Sequence, residues 1–393
     1  MDRVKFVNQG TAIDLNQLPP ASLYVYKEFD REGAVFEPPD KIPGGDVEEK
    51  MDQDGNTAFV LGLRNWIQLT VLMLTLGLGL QFYLFVQQVA GGGDITLSRP
   101  GGVEGFLPIG ALMGWKHFFA TGEWDVTHPA AMVILAFAGI LSFLCRKSFC
   151  SWFCPVGTLS EGLWKTGERL LGRNYQVHPW LDYPMRSLKY GLLLFFVYII
   201  ARMTTADIAY FLQSPYYRMA DVKMLHFFTR MSQTTVIVLA ALLLLSIFFR
   251  NFWCRYLCPY GALMGILALG SPMQIRRNPN ACVQCQRCHR ICPAHLRIHQ
   301  KERILSPECS GCMDCSIVCP VPDTLALKFP GRLVRNLRIS WAGLFVVAMF
   351  LGTVTWAKSS GHWESHLSPR EFRMGLMKID AAAMQHPAVQ FRK

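Results

Sequence analysis

Long apolar runs alternate along the chain with polar segments, and five of these runs predict membrane-spanning helices. A helix rises about 1.5 Å per residue, so about 20 apolar residues cross the hydrocarbon layer of a bilayer. Trp66 and Tyr83 lie near the ends of the first run, where interfacial aromatic residues are expected. The predicted helices cover residues 65–86, 130–144, 188–203, 234–249 and 339–356. The pattern therefore predicts a mainly α fold, a five-helix transmembrane bundle.

The segments outside these runs are of two kinds. Residues 1–64 are acidic and mixed, are broken by Pro and Gly pairs, and show no signal-peptide pattern, so we expect a cytoplasmic arm. The apolar piece at residues 106–115 is too short to cross a bilayer, so we expect a re-entrant or interfacial segment there.

Composition supports a membrane protein. The 393 residues are 51% hydrophobic and only 17% charged. A net charge of +11 would suit a nucleic-acid partner, but Lys and Arg lie in loops beside the apolar runs, where they orient membrane helices. We therefore expect membrane lipid as a partner and no nucleic acid.

The distribution of basic residues predicts the orientation, because positive loops stay on the cytoplasmic side. The loop between helices four and five holds more than ten Lys and Arg, and the loops on the other side hold few. The loop between helices two and three holds Arg146, Lys147, Lys165, Arg169, Arg173 and Arg186. We expect a bacterial inner-membrane protein with its N-terminus inside and its C-terminus in the periplasm.

Two cysteine runs in the loop between helices four and five carry the strongest chemical signal. Each has the spacing C-x2-C-x2-C-x3-C-P, typical of bacterial ferredoxins, in which three cysteines bind one iron-sulfur cluster and the fourth binds the other. A disulfide framework or zinc sites would not need the third cysteine or the final Cys-Pro. The predicted ligands are Cys282, Cys285, Cys288 and Cys319 for cluster one, and Cys309, Cys312, Cys315 and Cys292 for cluster two. We expect a cytoplasmic 2[4Fe-4S] ferredoxin insertion.

A second cysteine motif occurs twice. Residues 148–159 and 252–263 align with each other, each contains C-x3-C-P, and each follows an outward-to-inward helix, which indicates a parallel repeat. The motif cysteines are Cys150, Cys154, Cys254 and Cys258. Four converging thiols would suit a third iron-sulfur cluster, a soft metal such as Cu(I), or two redox dithiols, and the alternative is simple packing. Cys145 has no counterpart in the repeat, and we interpret it as a packing residue.

With two C-x3-C-P motifs followed by a double ferredoxin run, the chain resembles the membrane polyferredoxin family over residues 60–357. NapH, the electron-donating half of NosR and CcoG are of this type. The resemblance implies electron transfer between the quinone pool or cytoplasmic donors and a periplasmic acceptor.

The expected organisation has five parts. Residues 1–64 form the N-terminal arm, and residues 65–271 form helices one to four with both C-x3-C-P motifs. The ferredoxin domain takes residues 272–338, the fifth helix 339–357, and a periplasmic tail 358–393.

The function we expect is that of a non-catalytic electron-transfer subunit whose partner is a c-type cytochrome or a periplasmic reductase. Quinol would need a proton-handling group, and the candidates are Glu104, Lys116, His117, Glu123 and His128. The alternative function is maturation, in which copper or a disulfide is reduced at the C-x3-C-P cysteines. Neither a nucleotide-binding motif nor a catalytic triad is visible, so we do not expect the chain to complete a reaction alone.

The two ferredoxin runs differ in charge. Arg287, His289 and Arg290 lie within the first run, whereas the second carries Asp314. Positive charge favours the reduced and more negative form of a cluster. We therefore predict that cluster one has the higher reduction potential.

Overall fold

The computed structural model of the chain describes residues 7–8, 11–12, 62–92, 95–172, 174–321, 324–328, 339–381 and 384. The prediction of an N-terminal arm falls almost wholly outside these residues. So do Arg173 and residues 329–338 at the end of the expected ferredoxin domain.

Helices dominate the described residues. The longer ones are α1 (Leu63–Gly91), α2 (Pro108–Thr121), α3 (Pro129–Leu144), α4 (Ser148–Trp152), α5 (Pro155–Leu171), α6 (Pro179–Arg202), α7 (Thr205–Gln213), α8 (Pro215–Arg218), α9 (Ala220–Thr229), α10 (Gln233–Phe248), α11 (Pro259–Leu267), α12 (Arg287–Ile291), α13 (Asp314–Ile317), α14 (Ile339–Ser359) and α15 (Pro369–Met377). A π-helix covers Trp253–Leu257, and 3₁₀ turns cover Gly101–Phe106, Ala268–Gly270 and Ile298–Gln300. The strands are β1 (Val7–Asn8), β2 (Thr11–Ala12), β3 (Gln274–Arg277) and β4 (Leu325–Lys328).

All five segments predicted as membrane helices are helical, namely α1, α3, α6, α10 and α14. By length and composition α1, α6 and residues 341–359 of α14 could cross a membrane, and α9 with α10 would add a fourth crossing that is bent by 78°. Helix α3 has 16 residues and is about 24 Å long. The described part of the chain therefore gives three or four candidate spans, and the count of five stays a prediction.

Helix α3 lies at the centre of the helical part. Ala130, Met132, Ala138 and Leu141 are fully buried, and the helix contacts α2, α11 and α14. A helix that is apolar on every side belongs in the interior of a bundle. By contrast α1, α6 and α10 expose large apolar side chains, as lipid-facing helices do.

The ferredoxin-type domain is closed by a two-stranded antiparallel sheet. Strands β3 and β4 pair with Ile275 opposite Leu327, so the sheet joins the chain before the first cysteine run to the chain after the second. Ile275, Ile298 and Leu327 are buried among the cysteines.

The helical part has two ends, defined by what they contact. At the ferredoxin end, Ser151 Oγ donates to Ser310 O at 2.7 Å, and Arg146 Nη2 donates to Ser306 O at 2.7 Å. Gly311 of the ferredoxin-type domain packs so closely against the helical part that an added Cβ would be 2.7 Å from Ser148 Oγ. The ferredoxin-type domain is therefore held against the helical part.

The opposite end is closed by the C-terminal segment. Phe372 of α15 is buried, and its ring lies 5.1 Å from that of Phe85 on α1. Ser365 Oγ donates to Thr127 O at 2.7 Å. The described part of the tail therefore packs on its own chain.

Candidate functional site

The first cavity of the ferredoxin-type domain lies beside the first cysteine run. His299, Val321 and Leu325 form part of its wall. The cysteines that line it are Cys282, Cys285, Cys288 and Cys319. These are the four predicted ligands of cluster one.

The second cavity lies between the two runs. Ile275, Ile304 and Met313 form part of its wall, which makes it more apolar than the first. The cysteines that line it are Cys292, Cys309, Cys312 and Cys315. The last cysteine of each run thus crosses to the cavity of the other run, as the ferredoxin pattern requires.

Both runs share an unusual backbone conformation. Gln284 and Gln286 have φ of 57° and 59°, and the equivalent Gly311 and Met313 have φ of 64° and 66°. Non-glycine residues rarely adopt positive φ, and such conformations concentrate at ligand sites. These conformations could not be predicted from the sequence, because Gln and Met are not residues that favour positive φ.

Burial disfavours the thiolate form of the cysteines in these cavities. Burial raises the pKa of Cys288 and of Cys292 to about 11. Both would be protonated near neutral pH, whereas metal ligation requires the thiolate. The two cavities offer eight sulfur donors, and His299 is the one imidazole or carboxylate residue among their lining residues. This set of ligands fits iron-sulfur clusters.

The two C-x3-C-P motifs have the same closing hydrogen bond. Cys154 N donates to Phe149 O at 2.9 Å, and Cys258 N donates to Trp253 O at 3.0 Å, each five residues back. The first motif is nevertheless α-helical before this bond and the second is a π-helix. Each second cysteine caps the following helix, α5 or α11, whose first residue is proline. A π-helical turn of this kind is frequent at functional sites.

The motifs bring their four thiols together. The thiol of Cys254 interacts electrostatically with those of Cys258, Cys154 and Cys150. Burial raises the pKa of Cys150 to about 12 and that of Cys154 to about 11, and metal ligation would require both as thiolates. We refer to Cys150, Cys154, Cys254 and Cys258 as the four-thiol site.

The spacing of these thiols bears on the kind of metal. Among the described residues, no three His, Cys, Asp or Glu side chains converge closely enough to hold one metal ion. A single tetrahedral ion needs sulfur atoms about 2.3 Å from one point. The eight cysteines of the two ferredoxin cavities form no such group either.

Buried charges that the sequence did not reveal surround the four-thiol site. Lys147 is buried, and its charge acts on Cys150, Cys254 and Cys258. Lys189 Nζ lies 2.6 Å from Glu308 Oε2, and Tyr190 donates to Glu308 Oε1 at 3.0 Å. In the sequence, Lys147 contributed only to the prediction of membrane orientation. The sequence does not show whether the side chain of a basic residue before a cysteine motif lies near the cysteines.

Cys145 differs from the other cysteines near the four-thiol site. It is buried in the apolar core, and its sulfur lies 3.6 Å from that of Met273. Burial alone raises its pKa to about 11. These contacts fit the packing role predicted for it.

The five candidate quinone residues are divided among separate places. Glu104 Oε1 lies 3.3 Å from His128 Nδ1, and both contact Arg99. Lys116 Nζ donates to three carbonyl oxygens at the end of α6. His117 lies 3.4 Å from the exposed Glu123.

Glu104 and His128 belong to a buried polar network at the opposite end. Arg99 Nη2 lies 2.8 Å from Asp221 Oδ2, and His128 Nε2 lies 2.8 Å from Tyr217 O. Arg99 and Asp221 were not among the predicted candidates, because they are remote from each other in sequence. His128 lies at the start of α3 and Cys150 lies beyond its end, so the length of α3, about 24 Å, lies between these two residues.

Family models match the cysteine-bearing parts of the chain. The 4Fe-4S binding domain model matches residues 127–174 and again residues 231–276, which are the two halves of the repeat. The 4Fe-4S dicluster domain model matches residues 274–320.

Several curated proteins are similar to the chain. YccM of Escherichia coli (strain K12), which its name assigns to electron transport, is 39% identical over 315 residues, 79% of this chain and 88% of YccM. The regulatory protein NosR of Pseudomonas aeruginosa is 28% identical over 54% of this chain and 30% of NosR. The ferredoxin-type protein NapH of Haemophilus influenzae is 24% identical over 49% of this chain and 67% of NapH. No solved structure matches the chain.

Proposed function

The chain belongs to the membrane polyferredoxin-type family of 4Fe-4S proteins, and from this premise we propose that it carries electrons from a cytoplasmic donor to a membrane-bound or periplasmic redox partner. The ferredoxin-type domain accepts the electrons first and passes them to the four-thiol site. We place the protein in the inner membrane with its ferredoxin end in the cytoplasm.

We propose that the eight ferredoxin cysteines hold two [4Fe-4S] clusters with the ligand sets named above. A bound cluster supplies a one-electron carrier at each site. The chain's own contribution is to hold the thiolates in place, to exclude water and to set the local charge. Ile275, Ile304 and Met313 supply the apolar wall of the second cavity.

One observation carries the proposal: the second cysteine run rests directly on the first C-x3-C-P motif. Ser151, between Cys150 and Cys154, donates to Ser310, between Cys309 and Cys312, at 2.7 Å. Trp152 Nε1 also donates to Gly311 O at 3.3 Å. Ligand residues of the two sites are therefore joined through a single hydrogen bond between neighbouring residues.

We propose further that the four-thiol site holds a third [4Fe-4S] cluster. The two matches to a 4Fe-4S binding domain, one over each C-x3-C-P motif, support this choice over a single copper ion. Lys147 would offset part of the negative charge of four thiolates. Cys150 and Cys154 pack against the apolar cluster that contains Trp152 and Phe153, and Tyr260 packs against the same cluster.

The maturation alternative differs in one measurable respect. A copper-reducing or disulfide-reducing site would leave the two ferredoxin clusters as the chain's iron content. The proposed electron carrier needs iron at the four-thiol site as well. Metal analysis therefore separates the two functions.

Direct exchange with quinol is less well supported by the geometry than a cytoplasmic donor. Helix α3, about 24 Å long, lies between His128 of the buried network and Cys150 of the four-thiol site. We expect that a menaquinol analogue added to the purified protein leaves the cluster EPR signals unchanged, while dithionite reduces them. Reduction by the analogue would restore quinol as the donor.

The test of the proposed path compares two cysteine variants. Cys150→Ser should remove one EPR-active centre and stop electron transfer to the co-purifying partner, while the two ferredoxin signals remain. Cys145→Ser is the matched control, because Cys145 lies nearby but packs in the apolar core. Equal electron transfer in both variants would contradict the path.

Identification of the partner would complete the assignment. We expect co-purification of a c-type cytochrome or a periplasmic reductase with the full-length chain in mild detergent. A copper chaperone in its place would favour maturation.

A further inference from the structure

Resting on the proposed function, we infer that an acidic soluble electron carrier docks on one basic face of the ferredoxin-type domain, beside the first cavity. This basic face consists of Arg277, Arg290, Arg297, Lys301 and Arg303.

Charge is distributed very unevenly over the ferredoxin-type domain. Residues 272–307 contain seven Lys or Arg and a single acidic residue, Glu302. Residues 308–321 contain Glu308 and Asp314 and neither Lys nor Arg. Residues 322–338 add Asp323, Lys328, Arg332, Arg335 and Arg338. Of the two cysteine runs, the first is therefore the one with a basic surrounding sequence.

The positive groups surround the mouth of the first cavity. His299 lines that cavity, and its pKa is lowered by burial and by the charges of His289, Arg277 and Arg297. Arg290 Nη2 donates to the carbonyl oxygen of Cys285, another cavity residue, at 3.3 Å. Arg277 Nε donates to Lys301 O at 3.2 Å, which brings Lys301 to the same face.

The residues around the first cavity, where the basic residues lie, are also more exposed than those beside the second cavity. Gln284, Gln286 and Arg290, around the first cavity, are exposed. The equivalent Gly311 and Met313, beside the second cavity, are buried against the helical part or within the domain. A soluble carrier can therefore approach the first cavity, while the second is covered by the chain itself.

Charge complementarity selects the occupant. Opposite potentials on two surfaces steer encounter and fix orientation between electron-transfer partners. An anionic membrane surface could also attract the basic face, but it would cover the cavity of cluster one and shut out any donor. A small acidic carrier uses the same charges and leaves its own redox group beside the cavity.

The experiment measures binding, so that it does not depend on electron transfer. Full-length protein in nanodiscs of zwitterionic lipid is titrated with an oxidised acidic flavodoxin as the probe, at rising salt concentration. We expect affinity to fall steeply with salt, because the contact is between exposed charges. The double variant Arg297→Glu/Lys301→Glu should bind at least about tenfold more weakly at low salt.

Arg202→Glu provides the matched control, because Arg202 is an exposed arginine at the opposite end of α6. It should bind the flavodoxin as the wild type does. Cross-linking with a carbodiimide should join a flavodoxin carboxylate to Lys301 in the wild type.

Three results would overturn the inference: no flavodoxin binding at low salt, equal affinity of the double variant and the wild type, or binding of the basic face to vesicles of anionic lipid in place of flavodoxin. Iron content and the dithionite-reduced EPR spectrum are recorded on the same samples. If these show the clusters intact while flavodoxin fails to bind, the docking surface is wrong and the proposed function stands. If the clusters are absent, the proposed function fails first.

Discussion

Gly157 is the third residue of α5, and the first C-x3-C-P motif depends on its lack of a side chain. A Cβ atom at this position would collide with the carbonyl oxygen of Cys150. The repeat-equivalent Gly261 lies beside Cys258 Sγ and Lys147 Nζ, with room for a Cβ at 3.6 Å and 3.5 Å. The close approach is therefore tighter in the first motif than in the second.

We predict that Gly157→Ala destabilises the protein by about 1–3 kcal/mol, because the carbonyl group of Cys150 must move. It should also lower the iron bound at the four-thiol site. Unfolding in detergent and iron per chain measure the two effects. Gly162→Ala is the control on the same helix, where a Cβ meets nothing within 4 Å, and it should gain up to about 1 kcal/mol from helix propensity.

Charge at single residues should set the order of the two ferredoxin potentials. We predict that cluster one is reduced at the higher potential and that Arg287→Ala lowers it, since a positive charge favours the reduced cluster. An EPR-monitored redox titration resolves both midpoints, and Arg202→Ala at the opposite end should move neither. Arg64 Nη2 lies 3.2 Å from Asp314 Oδ2 and offsets the negative charge beside cluster two. A reversed order of midpoints would refute the charge argument.

At the scale of elements, Arg64 joins α1 to α5 and to the ferredoxin-type domain. Its guanidinium contacts Glu161 at 2.5 Å and Asp314 at 3.2 Å, and its side chain is only 6% exposed. Removal of one member of a buried ionic group leaves the others without compensation. Arg64 therefore connects two segments that are about 250 residues apart in the sequence.

We predict that Arg64→Gln lowers the free energy of unfolding of the ferredoxin-type domain by about 3–5 kcal/mol. Pulse proteolysis in detergent measures this loss. Lys165→Gln removes a more exposed partner of the same Glu161 and should cost less than about 1 kcal/mol. Similar losses in both variants would mean that burial does not decide the effect.

The polar network at the opposite end ties the 3₁₀ turn at Gly101–Phe106 to α3 and α9. Burial lowers the pKa of His128, but its hydrogen bond with Glu104 and the charges of Glu104 and Asp221 outweigh burial and the opposing Arg99, so the pKa is raised above 6.5. A raised pKa in the folded state means that the folded protein binds the proton more tightly than the unfolded chain does. The stabilisation is therefore complete below about pH 6.5 and is lost as pH rises through the folded pKa.

We predict that the midpoint temperature of thermal unfolding falls as pH rises above about 6.5 and that His128→Asn flattens this dependence. His366→Asn, which replaces an exposed histidine at the same end, should leave the slope intact. A slope that persists unchanged in His128→Asn would assign the pH dependence to other groups.

At the scale of the whole molecule, the order of sites follows the order of contacts. The basic face lies beside the first cavity, the second cysteine run rests on the four-thiol site, and α3 leads from there to the opposite end. The electron path of the proposed function therefore begins at the exposed basic face and leads through the four-thiol site into the apolar helical part.

The features that depend on local sequence pattern, the helices and the grouping of the ferredoxin cysteines, could be predicted. The five apolar runs are helices, and the spacing of the cysteine runs placed each group of four around its own cavity. Strict spacing restricts which cysteines can meet, so those groups needed no tertiary information. The convergence of Cys150 and Cys254 could be predicted only because their motif is repeated.

Features that depend on distant segments could not be predicted. Lys189 meets Glu308 across 119 positions of sequence, and Arg99 meets Asp221 across 122. No local pattern marks such pairs. The same limit explains the quinone candidates: Glu104 and His128 meet, whereas Lys116 caps α6 and His117 pairs at the surface.

The central claim, a third cluster at the four-thiol site, is tested most directly by metal analysis of the purified full-length protein. Three [4Fe-4S] clusters predict about twelve irons per chain, falling to about eight in Cys150→Ser/Cys254→Ser and staying at about twelve in Cys145→Ser. About eight irons in the wild type, with or without stoichiometric copper, would contradict the account.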